Sequence, residues 1–232
     1  MIFPIGDDQV KGGFYPLFSY GFILINIAVF LFQLSLPYEQ LNAFIYEYGS
    51  VPVETLEGKD LFTLFTSMFL HGGWMHLIGN MLFLWVFADN IEATIGNFRF
   101  LIFYVLGGLA AHAAHIYFNP ISTVPTVGAS GAISAVMGAY LVMFPTSRVR
   151  VLILFFTIRV SAFLFLGFWI WQQWMSGTAS LEVATAQSAG VAWWAHIGGF
   201  AYGLVAGIYY RLSTRIPTKQ RGGDYYNDES FV

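Results

Sequence analysis

The sequence predicts an all-α membrane protein, a bundle of six transmembrane helices in which the fourth is short and starts inside the bilayer. Three observations carry that expectation. Of 232 residues, 57% are hydrophobic and only 10% are charged, where a soluble domain carries about 25% charged residues. Mean hydropathy is +0.64. Apolar stretches recur six times along the chain, and the cations gather on one side of them.

A helix needs about 20 residues to cross ~30 Å of hydrocarbon. The candidate spans are Leu17–Leu36, Gly73–Asn90, Phe98–Phe118, Ser130–Phe144, Val160–Met175 and Val191–Tyr210. An even number puts both termini on one side. Lys11, Arg99, Arg148, Arg150, Arg159, Arg211, Arg215, Lys219 and Arg221 then share that side, and Lys59 alone lies opposite. Cytoplasmic loops carry the excess of Lys and Arg, so both termini are expected in the cytoplasm. Residues 1–16 read as a cytoplasmic N-terminal segment, 17–211 as the helical domain and 212–232 as a solvated, disordered tail of mixed charge. The first residues resemble neither a cleavable signal nor an Arg-rich transit peptide, which favours a prokaryotic plasma membrane.

Several classes are excluded. A net charge of −3 gives no footing for a nucleic-acid partner. The absence of cysteine removes disulfides, thiolate zinc sites and a Cys nucleophile. There is no His-Glu-x-x-His motif and no pair of mid-membrane aspartates. No cofactor or metal is expected.

Two connections stand out. Residues Pro37 to Gly72 are too apolar for a free loop and are expected partly in the outer interface. Residues Asn119 to Gly128 carry Pro120 and Pro125 and lead into the fourth span. That span has only about 15 residues, or ~22 Å of helix. With its inner end fixed near Arg148, its outer end stops ~8 Å below the external surface. Irregular backbone at that depth survives only beside protein or a water-filled cavity. Ser130 therefore starts a helix inside the membrane, with a wet space above it.

Other polar side chains reach the same depth. His76 and Asn80 are four residues apart and share a face of the second span. They lie ~5 and ~10 Å below Gly73, and His196 lies ~8 Å inside the sixth span. Ionisable groups within spans are functional candidates by default. Ser130, Ser134 and Gly138 form a small-residue stripe, matched by Gly199, Gly203 and Gly207 one turn after His196. Such stripes let backbones approach closely, which would bring His196 to Ser130.

A serine hydroxyl is a weak nucleophile until a base takes its proton. No Asp or Glu lies at this depth, so the residues read as a Ser–His dyad. Oxyanion donors are available in the Ser130 backbone N–H, the Asn80 amide and the His76 ring. Ser130 in isolation would read as an N-cap; His196 and Asn80 at its level reverse that. His71 reads as an interfacial or turn residue, and His112 and His115 as interfacial. Trp169, Trp171, Trp174, Trp193 and Trp194 read as an outer aromatic belt, and Arg159 as the inner end of the fifth span. That span lacks a glycine stripe, so it is the helix expected to lean aside for a substrate, and smaller residues at Phe168 or Trp171 would ease the motion. Ser176 to Gly190, rich in small polar residues, is expected to form a mobile flap above the site.

Three segments together resemble the rhomboid family of intramembrane serine proteases: His71-Gly72-Gly73-Trp74-Met75-His76 with Asn80, Gly128-Ala129-Ser130-Gly131, and Ala195-His196-Ile197-Gly198-Gly199. Their order and the six-span layout cover about residues 15 to 211. The resemblance implies Ser130 as nucleophile, His196 as base, His76 and Asn80 at the oxyanion, and single-pass membrane proteins as substrates. Glu92 resembles a family position near the inner end of the second span. Two positions depart from the pattern. Phe62-Thr63 stand where many members have Trp-Arg, and Ser134 stands where some have a Tyr packed on the catalytic histidine. The rival reading is a rhomboid-fold protein that binds membrane helices without cutting them; such relatives usually lack the serine or the histidine. A transporter is disfavoured because the polar residues stop in the outer half.

Overall fold

The computed structural model describes residues 2–10, 12–182 and 191–214. In chain order the elements are β1 (Ile2–Asp7), α1 (Leu17–Ser35), α2 (Tyr38–Tyr48), α3 (Pro52–Leu56), α4 (Thr63–Thr66), α5 (Trp74–Ile95), α6 (Asn97–Phe118), α7 (Ser130–Met143), β2 (Arg148–Ile153), β3 (Phe156–Ser161), α8 (Ala162–Glu182) and α9 (Trp193–Ser213). The long helices α1 and α5 to α9 fall on the six apolar stretches. By length and composition α1 and α6 qualify as membrane spans, and α7 is a shorter apolar helix.

Helix α7 is the axis of the bundle: Gly131 to Tyr140 are buried without a break. Its partner is α9, and the stripes explain how the two meet. A methyl group added to Gly199 would collide with the Gly131 carbonyl oxygen, and one on Gly203 with that of Ala135. From the other side, Gly138 lies against the Phe200 carbonyl. Large apolar side chains point outward all round the bundle, among them Leu24, Leu31, Ile102, Phe163, Leu164, Val205 and Ile208. A surface so continuously apolar belongs against lipid.

The start of α1 has no side-chain cap of its own, because Pro16 occupies the N-cap. Glu92 of α5 supplies one from outside. Its fully buried carboxylate accepts from the Phe18 and Ser19 backbone N–H groups at 2.8 and 2.7 Å. It also accepts from Ser19 Oγ at 2.6 Å and Asn97 Nδ2 at 2.9 Å. Four donors and a helix N-terminus thus stabilise one buried negative charge.

The all-α expectation is corrected by a three-stranded antiparallel sheet in the order β1-β2-β3. The signal lay in Arg148-Val149-Arg150-Val151, whose two-residue alternation is that of a half-buried strand. Val149 and Val151 are buried while Arg148 and Arg150 are exposed. The N-terminal segment supplies the edge strand β1. Its Asp7 accepts from Asn90 Nδ2 at 2.6 Å and bonds the Tyr140 hydroxyl. Asp8 accepts from the Arg148 N–H at 2.9 Å. Arg159, expected to end the fifth span, lies in β3 instead. Helix α8 also runs past Met175 to Glu182, so the first part of the expected flap is helical; residues 183–190 lie outside the described residues, as do Lys11 and the tail from 215.

Candidate active site

The loop between α1 and α5 holds the start of α7 in place. Ser50 and Thr126 exchange backbone hydrogen bonds at 3.1 and 2.8 Å, and the Gly128 N–H donates to the Ser67 carbonyl at 2.9 Å. At Phe62-Thr63, Thr63 Oγ1 donates to the Asp60 carbonyl at 2.7 Å, and the Phe62 ring meets Tyr48 edge-on. Gly128 has φ +125°, a conformation that favours glycine. A Cβ there would also lie 2.7 Å from His76 Nε2 and 3.6 Å from Asn80 Nδ2. His76 and Asn80 therefore flank the backbone two residues before Ser130.

Ser130 is the first residue of α7, so its N–H is among those a helix leaves without an internal partner. Its Oγ lies 2.8 Å from His196 Nε2. Both residues, like His76, are half-buried. On the far side of the ring, His196 Nδ1 lies 2.7 Å from Gln173 Oε1. An amide oxygen only accepts, so Nδ1 carries the ring proton and Nε2 is left bare to accept from Ser130. Gln173 is 4% exposed and comes from α8. Trp169 and Trp193 flank the same ring, with centroids 5.8 and 6.3 Å away. At position 134, Ser134 Oγ donates back to the Ser130 carbonyl at 2.6 Å.

Several residues sit differently from expectation. His71 lies in the non-helical stretch before α5, as a turn residue would, but it is buried: it is 2% exposed, and its Nε2 accepts from Asn80 Nδ2 at 2.9 Å. Gln33 of α1 grips the His71 backbone, accepting from its N–H at 3.0 Å and donating to its carbonyl at 3.2 Å. One Asn80 N–H is thereby committed to His71, and the amide carries a second. His112 also turns inward, its Nε2 3.1 Å from Ser67 Oγ. Of the five tryptophans read as a belt, Trp171 and Trp174 are exposed, but Trp169 and Trp193 face His196 and Trp194 is buried against Phe118. Among the described residues no group of three or more His, Cys, Asp or Glu side chains could hold a metal ion.

Gln173 is the residue that sequence reasoning missed. The signal was a pair of glutamines, Gln172 and Gln173, in an otherwise apolar span. Attention to carboxylates alone passed over a neutral acceptor that lies 2.7 Å from His196 Nδ1.

A family model described as "Rhomboid domain" matches residues 58–213. Among curated proteins, the chain is 32% identical over 134 residues to "Rhomboid protease GluP" of Bacillus subtilis, covering 57% of this chain and 26% of that protein. It is 27% identical over 195 residues to "Rhomboid protein 1, mitochondrial" of Saccharomyces cerevisiae, covering 82% and 52%. It is 32% identical over 117 residues to "Putative rhomboid protease YdcA" of Bacillus subtilis, covering 44% and 58%. The matches thus span from about a quarter to just over half the length of these relatives. Bacterial and mitochondrial proteins both appear, so the expectation of a prokaryotic plasma membrane gains no support from them.

Proposed function

The chain belongs to the rhomboid family, and on that premise we propose that it is an intramembrane serine endopeptidase that cuts transmembrane segments of single-pass proteins near the outer membrane face. The six long helices span the bilayer with both termini cytoplasmic, and residues 17–211 form the protease domain. The observation that carries the reading is the chain Ser130 Oγ–His196–Gln173, with contacts of 2.8 and 2.7 Å.

In the reaction, Ser130 Oγ attacks the scissile carbonyl carbon as His196 Nε2 takes its proton. The imidazolium that forms keeps its Nδ1–H on Gln173 Oε1. The carbonyl oxygen becomes an oxyanion and is met by the Ser130 backbone N–H, the second Asn80 N–H and the His76 ring. Collapse breaks the C–N bond, and His196 returns the proton to the departing amine. The acyl group left on Ser130 Oγ is then attacked by water, with His196 again taking the proton and Ser130 regaining it. At the start of a short helix α7, Ser130 can be reached by water from the external side.

A fluorophosphonate probe tests the reading without knowledge of the substrate. Purified wild type should label, Ser130→Ala should not, and His196→Ala should label far more slowly. The two alanine variants and their combination should be equally inactive on a single-pass reporter, because residues acting as a unit are not additive. Cleavage by Ser130→Ala would overturn Ser130 as the nucleophile, and a wild type that neither labels nor cuts would favour a helix-binding protein without activity.

A further inference from the structure

The β2–β3 hairpin ends in a tip that breaks the rules of a solvated turn. Two-residue hairpin loops are closed by Gly, Asn or Asp, because the central residues take positive φ. Here Ile153 pairs with Phe156, so the loop is Leu154-Phe155. Leu154 has φ +55°, a strained conformation for a leucine. The same residues are held out of the protein. Leu154 is 70% exposed, Phe156 75%, and Phe155, at 91%, is the most exposed large apolar side chain among the described residues. A turn that gives up its proper chemistry for apolar surface points to a surrounding other than water.

The hairpin also has two unlike faces. Register pairs Val149 with Val160 and Val151 with Ile158 on one face, and Arg150 with Arg159 on the other. The apolar face adjoins α8: Ile153, Ile158 and Val160 line a cavity of about 260 Å³ with Phe83, Phe165 and Phe168. Phe168 itself points outward and is exposed. The apolar surface of the hairpin therefore continues the outward-facing surface of α8, which is the surface that lipid covers.

We propose that the β2–β3 tip is inserted in the membrane: Leu154, Phe155 and Phe156 enter the acyl region of the cytoplasmic leaflet beside α8, with Arg150 at the lipid phosphates. Two features select lipid as the occupant. The patch is continuous with the outer surface of the bundle, and cations flank its apolar tip, as in elements that lie in the interface plane. The choice of leaflet and the lipid cover of α8 rest on the topology proposed above. Insertion itself is independent of proteolysis, and it gives the bundle an anchor beside the contact of Phe165 on α8 with Phe83 and Phe87 on α5.

The chain contains no cysteine, so one introduced thiol reports one position. Phe155→Cys carrying a nitroxide, in liposomes with an anionic lipid fraction, is read for relaxation by oxygen and by a water-soluble nickel chelate. Lys59→Cys is the solvent reference and Arg150→Cys the headgroup reference. The expected oxygen-to-chelate ratio is several-fold higher at 155 than at 59, with 150 between them. Leu154→Cys gives a second reading of the tip should the label at 155 perturb the turn. Solvent-like ratios at both tip positions would overturn the proposal. So would dipolar broadening between labels, which would mean that the tip meets a second copy. Repeating the readings on Ser130→Ala separates the two claims: the same ratios in an inactive protein leave insertion standing whatever the fate of the protease assignment.

Discussion

If Gln173 holds the base, replacing it by leucine of similar volume should slow the chemistry without emptying the site. The side chain is 4% exposed and its Oε1 lies 2.7 Å from His196 Nδ1, on a ring that becomes a cation when Ser130 gives up its proton. A hydrogen bond to a charged group contributes about 1.5–3 kcal/mol net. At ~1.36 kcal/mol per decade of rate, that converts to a loss of roughly 10- to 150-fold. The loss should fall on kcat rather than KM, because Gln173 touches the base and not the substrate. It should also stop short of the loss in Ser130→Ala, since Trp169 and Trp193 still flank the ring. Fluorophosphonate labelling and cleavage of a short soluble peptide are the assays, because neither depends on a helix passing α8. Gln173→Glu keeps an acceptor in place and should recover part of the rate. A Gln173→Leu protein that labels at the wild-type rate would refute the argument. So would a loss confined to membrane-embedded substrates, which would make Gln173 a seat for α8 and nothing more.

Two further outcomes are expected. Glu92→Ala removes the acceptor of four donors at the start of α1 and α6; each buried donor left unmet costs about 1–3 kcal/mol, so thermal unfolding in detergent should come markedly earlier, while Ser19→Ala should cost less. On α8 it is Phe165, stacked 6.2 Å from both Phe83 and Phe87, that ties the helix to α5, whereas Phe168 and Trp171 face outward; Phe165→Ala should therefore speed cleavage of embedded substrates and leave a soluble peptide unchanged, and equal effects on both would rule out passage between α5 and α8.

The sequence by itself determined the parts that depend on composition and local pattern. Charge depletion and apolar stretches marked the helices, three separated motifs marked the family, and the glycine period on α9 marked its close approach to α7, because hydropathy and small-residue spacing act through one helix at a time. The polar support of the site was less legible. Gln33, His71 and Asn80 come from three places in the chain, and nothing local says that Gln33 will hold the His71 backbone or that His71 will turn inward to Asn80. Gln173 was visible as a polar residue in an apolar span, but its role needed the distance to His196, which only the packing of α8 on α9 sets. The sheet lay between these cases. The alternation in Arg148-Val149-Arg150-Val151 was readable, but pairing with Ile2–Asp7 spans most of the chain. Periodicity tells a strand which face to bury; only the tertiary structure supplies the edge it pairs with, because backbone hydrogen bonds between strands carry no sequence signature of their own.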